Sequence, residues 1–187
     1  MFIQTEQTPN PATLKFLPGR PVMKTGVADF TNATDAARSP LARNLFELGG
    51  ITAVFLGADF VTITKAEDME WQVIKPLVLG SIMDHYTSGQ PILAGVADDE
   101  DLDFIEDENA DPDVIDQIKE LIETRVRPAV AQDGGDIVYK GFKGGTVYLH
   151  MRGACAGCPS STMTLKSGIE NMLRHYVPEV REVEAVL

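Results

Sequence analysis

Residues 97–113 read ADDEDLDFIEDENADPD: ten carboxylates and no basic side chain. Like charges repel along such a run, and its few apolar groups cannot offset the entropy of ordering it. A chain of 187 residues interrupted this way is not built around one continuous core. The run predicts two small domains, residues 1–96 and 113–187, joined by a flexible acidic linker at 97–112. The formal charge of −12 is concentrated here, because residues 1–96 carry −2 and residues 114–187 carry none. Leu102, Phe104 and Ile105 keep open a second reading of the linker, a docking strip for a basic partner. Nothing in the chain resembles the basic footprint of a nucleic-acid binder, and anionic membrane surfaces are disfavoured for the same reason. The longest apolar-looking segment, WQVIKPLVLGSIMDHY, carries Lys75, Pro76 and Asp84 and is too short to span a bilayer.

The N-terminal part predicts the order ββαββα. FIQTEQ and ATLKFLPG have strand composition and are separated by Pro9-Asn10-Pro11. Ser39-Pro40 suits a helix start, with Leu41, Leu45 and Leu48 at helical spacing and Gly49-Gly50 as the stop. ITAVFL and DFVTITK flank Gly57-Ala58 as a hairpin. From Asp68 to Tyr86 a helix closes the domain through Trp71, Ile74, Val78, Ile82 and Tyr86, with a kink or late start expected from Pro76.

The C-terminal part predicts αββαβ. Asp111-Pro112 reads as a cap followed by proline at the first helical position, and Ile115, Ile118, Ile122 and Val126 recur at helical spacing. Pro128 falls near the end, and QDGGD reads as a helix stop and turn. Asp133 and Asp136 are expected there as solvated caps. DIVYKGF and TVYLHM flank a tight Lys-Gly-Gly turn. A helix with Leu165, Ile169, Met172, Leu173 and Tyr176 follows, ended by Pro178, and VREVEAVL alternates as a last strand. The fold class is α+β, two small α/β-type domains.

The two cysteines of the chain, Cys155 and Cys158, lie in MRGACAGCPSST between a strand and a helix start. The helix dipole and free N–H groups there are expected to lower both thiol pKa values, and Arg152 adds positive charge. Gly153 and Gly157 let backbone amides approach an anion. Met151 and Met163 flank the loop, as packing residues or as a cover for the site. Four readings of the pair stand side by side. A dithiol oxidoreductase needs only two cysteines, but no thioredoxin-like βαβ pattern precedes them. Structural zinc needs two more ligands from His85, His150 and His175, each of which reads as an ordinary surface or half-buried histidine. Two inert cysteines are the third. The fourth is an iron–sulfur cluster held by four thiolates, two from each of two copies of the chain.

VRPAVAQDGGDI, GFKGGTVYLHMRGACAGCPSS and TLKSGIENMLRHYVPEV closely resemble the NifU-like C-terminal domain of Nfu-type iron–sulfur proteins. MFIQTEQTPNPATLKFLPG and SPLARNLFELGGITAVFLGADFVTITK resemble the N-terminal domain of the same family. The resemblance implies a non-enzymatic cluster scaffold and carrier. It implies a [4Fe-4S] cluster, with [2Fe-2S] as the alternative, bridging a homodimer through Cys155 and Cys158. Its partners would be an upstream cluster scaffold and apo iron–sulfur acceptors, the cysteine-free N-terminal domain serving non-covalent recognition. The N-terminus reads neither as a secretory signal nor as an Arg-rich transit peptide. The expected location is therefore the bacterial cytoplasm, with the mitochondrial matrix as the alternative for a processed form.

Overall fold

The computed structural model describes residues 1–94, 105–106, 109–156 and 159–186, without the side chains of residues 106 and 159–161. Leu102 and Phe104, like most of the acidic linker, lie outside the described residues. The chain divides into two compact units, Met1–Asp98 and Asp99–Leu187. No helix among the described residues is long and apolar enough to cross a membrane.

In the first unit five strands form one antiparallel sheet: β1 (Gln4–Gln7), β2 (Thr13–Leu17), β3 (Ala28–Phe30), β4 (Ile51–Leu56) and β5 (Val61–Lys65), in the order β1-β2-β5-β4-β3. Strand β3 is an addition to the expected order. Three residues are too few to display a two-residue period, so its pairing with β4 and the full burial of Phe30 define it. Helix α1 (Pro40–Glu47) starts where expected. Ser39 Oγ accepts from the Ala42 N–H at 3.1 Å and donates to Ile92 O at 2.6 Å, so one hydroxyl both caps the helix and anchors a later segment. Helix α2 (Trp71–Ser88) starts three residues later than Asp68 and still contains Pro76. Its Ile74, Val78 and Ile82 join Phe16, Leu41, Leu45, Val54 and Ile63 in one core.

His85 continues that inward face and corrects the surface or half-buried reading: it is 2% exposed, and neither ring nitrogen has a hydrogen-bond partner. Burial lowers its pKa from the ordinary value of 6.5. Below that value the unfolded chain takes up a proton that the folded chain does not, so stability falls as pH drops through 6.5 towards the folded value. A His85→Leu variant is expected to lose part of this acid sensitivity, seen as a flatter urea midpoint between about pH 7 and 5. An unchanged slope would remove His85 as its source.

The second unit has a four-stranded sheet, β6 (Ile105–Glu106), β7 (Gly135–Lys143), β8 (Thr146–Gly153) and β9 (Glu182–Val186), in that order. The pairs β6–β7 and β8–β9 are parallel, and β7–β8 is an antiparallel hairpin. Strand β6 corrects the unstructured reading of the linker at Ile105 and Glu106. It pairs with Gly141 and Phe142, and a Cβ at Gly141 would overlap the Ile105 carbonyl, so glycine is what admits this strand.

Helix α3 (Pro112–Leu121) is capped by Asp111, which accepts from the Asp113 N–H at 3.0 Å. The predicted single helix then widens into a π turn at Ile122–Val126 before α4 (Arg127–Gln132). Pro128 explains it: with no N–H to give Thr124 and a ring that presses on that carbonyl, it cannot sit in a regular helix interior. The Arg127 N–H reaches Ile122 O instead, a five-residue step, and Thr124 Oγ1 donates back to Glu120 O at 2.7 Å. Ile118, Ile122, Val126, Ile137, Val147, Leu149 and Met151 share one core with Ile169 and Leu173 of α5 (Pro159–Tyr176).

Candidate functional site

The hairpin β7–β8 and the helices that flank it place the cysteine loop. Gly153 ends β8 opposite Gly135, the first residue of β7. The Ala154 N–H donates to Gly134 O at 3.2 Å, and the Ala156 N–H donates to Gly153 O at 3.1 Å. Thr162 Oγ1 donates to Cys155 O at 3.0 Å, tying the loop to the start of α5. QDGGD and the cysteine loop are therefore one structural unit. A Cβ on Gly135 would lie against Cys155 Sγ and 2.9 Å from Arg152 O, so the thiol occupies space that only glycine leaves open.

This geometry overturns the expectation of an exposed thiol with a lowered pKa. Cys155 is 6% exposed and belongs to the hydrophobic core of its unit. Burial, then the carboxylates of Asp133 and Asp136, push its pKa up to about 12. Cys158 lies outside the described residues, as does Gly157.

The two aspartates of QDGGD, both expected as solvated caps, differ in the structure. Asp133 is exposed and fits that role at the end of α4, whereas Asp136 is 3% exposed. Arg127 grips Asp136 with both arms, Nε to Oδ1 at 2.8 Å and Nη2 to Oδ2 at 3.1 Å. Its Nη1 also reaches Glu123 Oε1 at 2.8 Å. The hydrogen bonds that the guanidinium donates to Asp136 raise its pKa further. The two-residue period hides it: Ile137 points into the core, so Asp136 falls on the other face of β7, where Arg127 covers it.

His150 and His175 form no metal-binding group with Cys155 among the described residues. His85 belongs to the other unit, His150 is half-buried on β8, and His175 is exposed near the end of α5. Among the described residues, no group of three or more His, Cys, Asp or Glu side chains is placed to hold a metal ion. Met151 packs in the core at 7% exposure, as expected, but Met163 is 70% exposed and packs against little.

Comparison with known proteins covers both units. Residues 3–89 match the family model described as scaffold protein Nfu/NifU N terminal, and residues 118–184 match the NifU-like domain. Over 188 residues the chain is 53% identical to "NifU-like protein 4, mitochondrial" of Arabidopsis thaliana, covering 98% of this chain and 65% of that protein. It is 48% identical to "NFU1 iron-sulfur cluster scaffold homolog, mitochondrial" of Homo sapiens, covering 100% of this chain and 72% of that protein. The chain thus spans about two-thirds of the length of these relatives. A solution structure of a NifU-like protein from Saccharomyces cerevisiae is 27% identical over 51% of this chain and 87% of that one, with a TM-score of 0.47.

Proposed function

Because the chain belongs to the Nfu/NifU scaffold protein family, we propose that it is a non-enzymatic scaffold whose cargo is an iron–sulfur cluster, held between two copies and passed to apo-proteins. Cys155 and Cys158 of each copy supply the four thiolates, most simply to a [4Fe-4S] cluster, with [2Fe-2S] as the smaller alternative. The observation that carries this reading is the seat of Cys155, its thiol packed on Gly135 at the mouth of the β7–β8 hairpin with no third ligand from the same chain among the described residues.

Ligation requires the thiolate, so the buried Cys155 thiol must surrender a proton as it binds iron. The cost of that step, together with Asp133 and Asp136 nearby, opposes the hold on the cluster and favours its release to an acceptor with better ligands. The same burial speaks against a dithiol oxidoreductase, which needs a low-pKa, accessible attacking thiolate. Upstream scaffolds and apo iron–sulfur proteins are the partners, and the cysteine-free first unit recognises them without covalent chemistry. The mitochondrial names of the relatives favour the mitochondrial matrix over the bacterial cytoplasm as the site of this work.

Anaerobic reconstitution with ferrous iron and sulfide tests the proposal. The wild-type chain is expected to develop a stoichiometric brown chromophore, and Cys155→Ser or Cys158→Ser to lose nearly all of it. Full loading of either variant, or insulin reduction by the cluster-free chain, would sink the reading.

A further inference from the structure

The first unit presents an open groove that the cysteine chemistry does not use. Strand β1 lies at the edge of its sheet, bonded to β2 on one side and to no described strand on the other. Its sequence, Gln-Thr-Glu-Gln, has none of the proline or lysine that usually blunts an exposed edge. Beside it run two contiguous depressions. One, of about 390 Å³, lies between Thr5, Gln7, Leu14, Trp71, Lys75 and Pro76. The other, of about 540 Å³, lies between Phe2, Ile3, Thr5, Glu6, Lys75 and Leu79. Thr5 and Lys75 line both, so the two form one groove between β1 and the first half of α2.

The groove is edged by Phe2, 80% exposed, and lined on the helix side by Trp71, Pro76 and Leu79. Outside the groove, Val73 and Leu77 of α2 are 58% and 47% exposed. Helix α2 is therefore apolar on its outer side as well as on the Ile74–Val78–Ile82 face that meets the core. The one cation in the lining, Lys75, is half-buried and makes no ion pair among the described residues. Glu6, the acid in the lining, is 3.7 Å from Lys15.

We propose that this groove binds an extended, apolar segment of a partner protein, which adds to β1 as a further strand and sets an Asp or Glu against Lys75. An open edge offers backbone donors and acceptors to an extended chain, the depressions take alternate side chains, and a lysine with no ion pair among the described residues selects a carboxylate. A second copy fits less well, because the one acid that β1 itself carries, Glu6, already stands 3.7 Å from Lys15. The inference rests on the carrier reading only in naming the partner as a donor or acceptor of the cluster.

The test uses the full chain and two synthetic peptides, Ser-Val-Thr-Val-Glu-Val-Thr-Ser and the same peptide with Lys for Glu. By fluorescence anisotropy the acidic peptide is expected to bind about tenfold tighter than the basic one, and Lys75→Glu to invert that preference. Amide shifts should cluster at residues 4–7 and 71–79. Equal binding of the two peptides, an unaltered preference in Lys75→Glu, shifts elsewhere, or self-association of the cluster-free chain through β1 would each overturn the proposal. Iron loading is measured on the same chains. A wild-type chain that never loads iron defeats the cluster reading while leaving the peptide result intact, so the two failures are separable.

Discussion

Asp136→Ala is expected to lower the stability of the C-terminal unit by about 3 kcal/mol, the lower end of the range for breaking a buried ion pair by removing one partner. The Asp136 side chain is 5% exposed and that of Arg127 28%, so the guanidinium left behind loses its better acceptor. Glu123 still accepts from it but is 60% exposed, and exposed pairs contribute little, which is why the low end of the range applies and the loss is not erased. Asp136→Asn keeps the shape and one acceptor and should cost less. The single tryptophan, Trp71, reports on the other unit, so its fluorescence is the wrong observable. Hydrogen exchange at β7 and β8 amides as urea rises is the right one. A loss below about 1 kcal/mol would mean that the pair is no more than a surface contact.

Gly135→Val attacks the cysteine seat itself. Its Cβ would meet Cys155 Sγ, stand 2.9 Å from Arg152 O and 3.1 Å from Cys155 N. Two of these neighbours are backbone and cannot swing aside, so either the hairpin end opens or the cysteine loop shifts. The expected cost is about 1–3 kcal/mol, as for other overpacked sites. Iron loading should fall far more than that cost alone would cause, because the displaced atom is the proposed ligand. Gly168→Ala serves as the control. It lies in α5 with nothing within 4 Å of the added methyl, so it should raise stability by about 0.5–1 kcal/mol and leave loading alone. Equal loading in Gly135→Val and wild type would show that the Gly135 contact does not position Cys155.

Much of the fold was legible because it rests on local chemistry. Ser39-Pro40 and Asp111-Pro112 are helix starts in sequence and in space. Val147, Leu149 and Met151 alternate inward as their spacing predicts. What escaped depends on contacts distant in sequence. Strand β3 exists because β4 offers it an edge, and β6 because Gly141 leaves room for the Ile105 carbonyl. Pro128 reads as a helix end but is absorbed by a wider turn. The cysteine pair was readable as a site, yet its electrostatics were not. The helix start that follows it argued for thiolate, while the burial of Cys155 and the neighbouring Asp133 and Asp136 argue for thiol, and these appear only when β7 and β8 are laid side by side. His85 and Asp136 escaped for the same reason: burial of a polar side chain is decided by what packs on it.

The central claim is that two copies share one cluster through Cys155 and Cys158. Native mass spectrometry of the anaerobically reconstituted chain, with iron and sulfide determined on the same sample, tests it most directly. The account predicts a cluster-bearing species of twice the chain mass, with one cluster per two chains, that reverts to single chains when the cluster is removed. A cluster carried by a species of single-chain mass would contradict it.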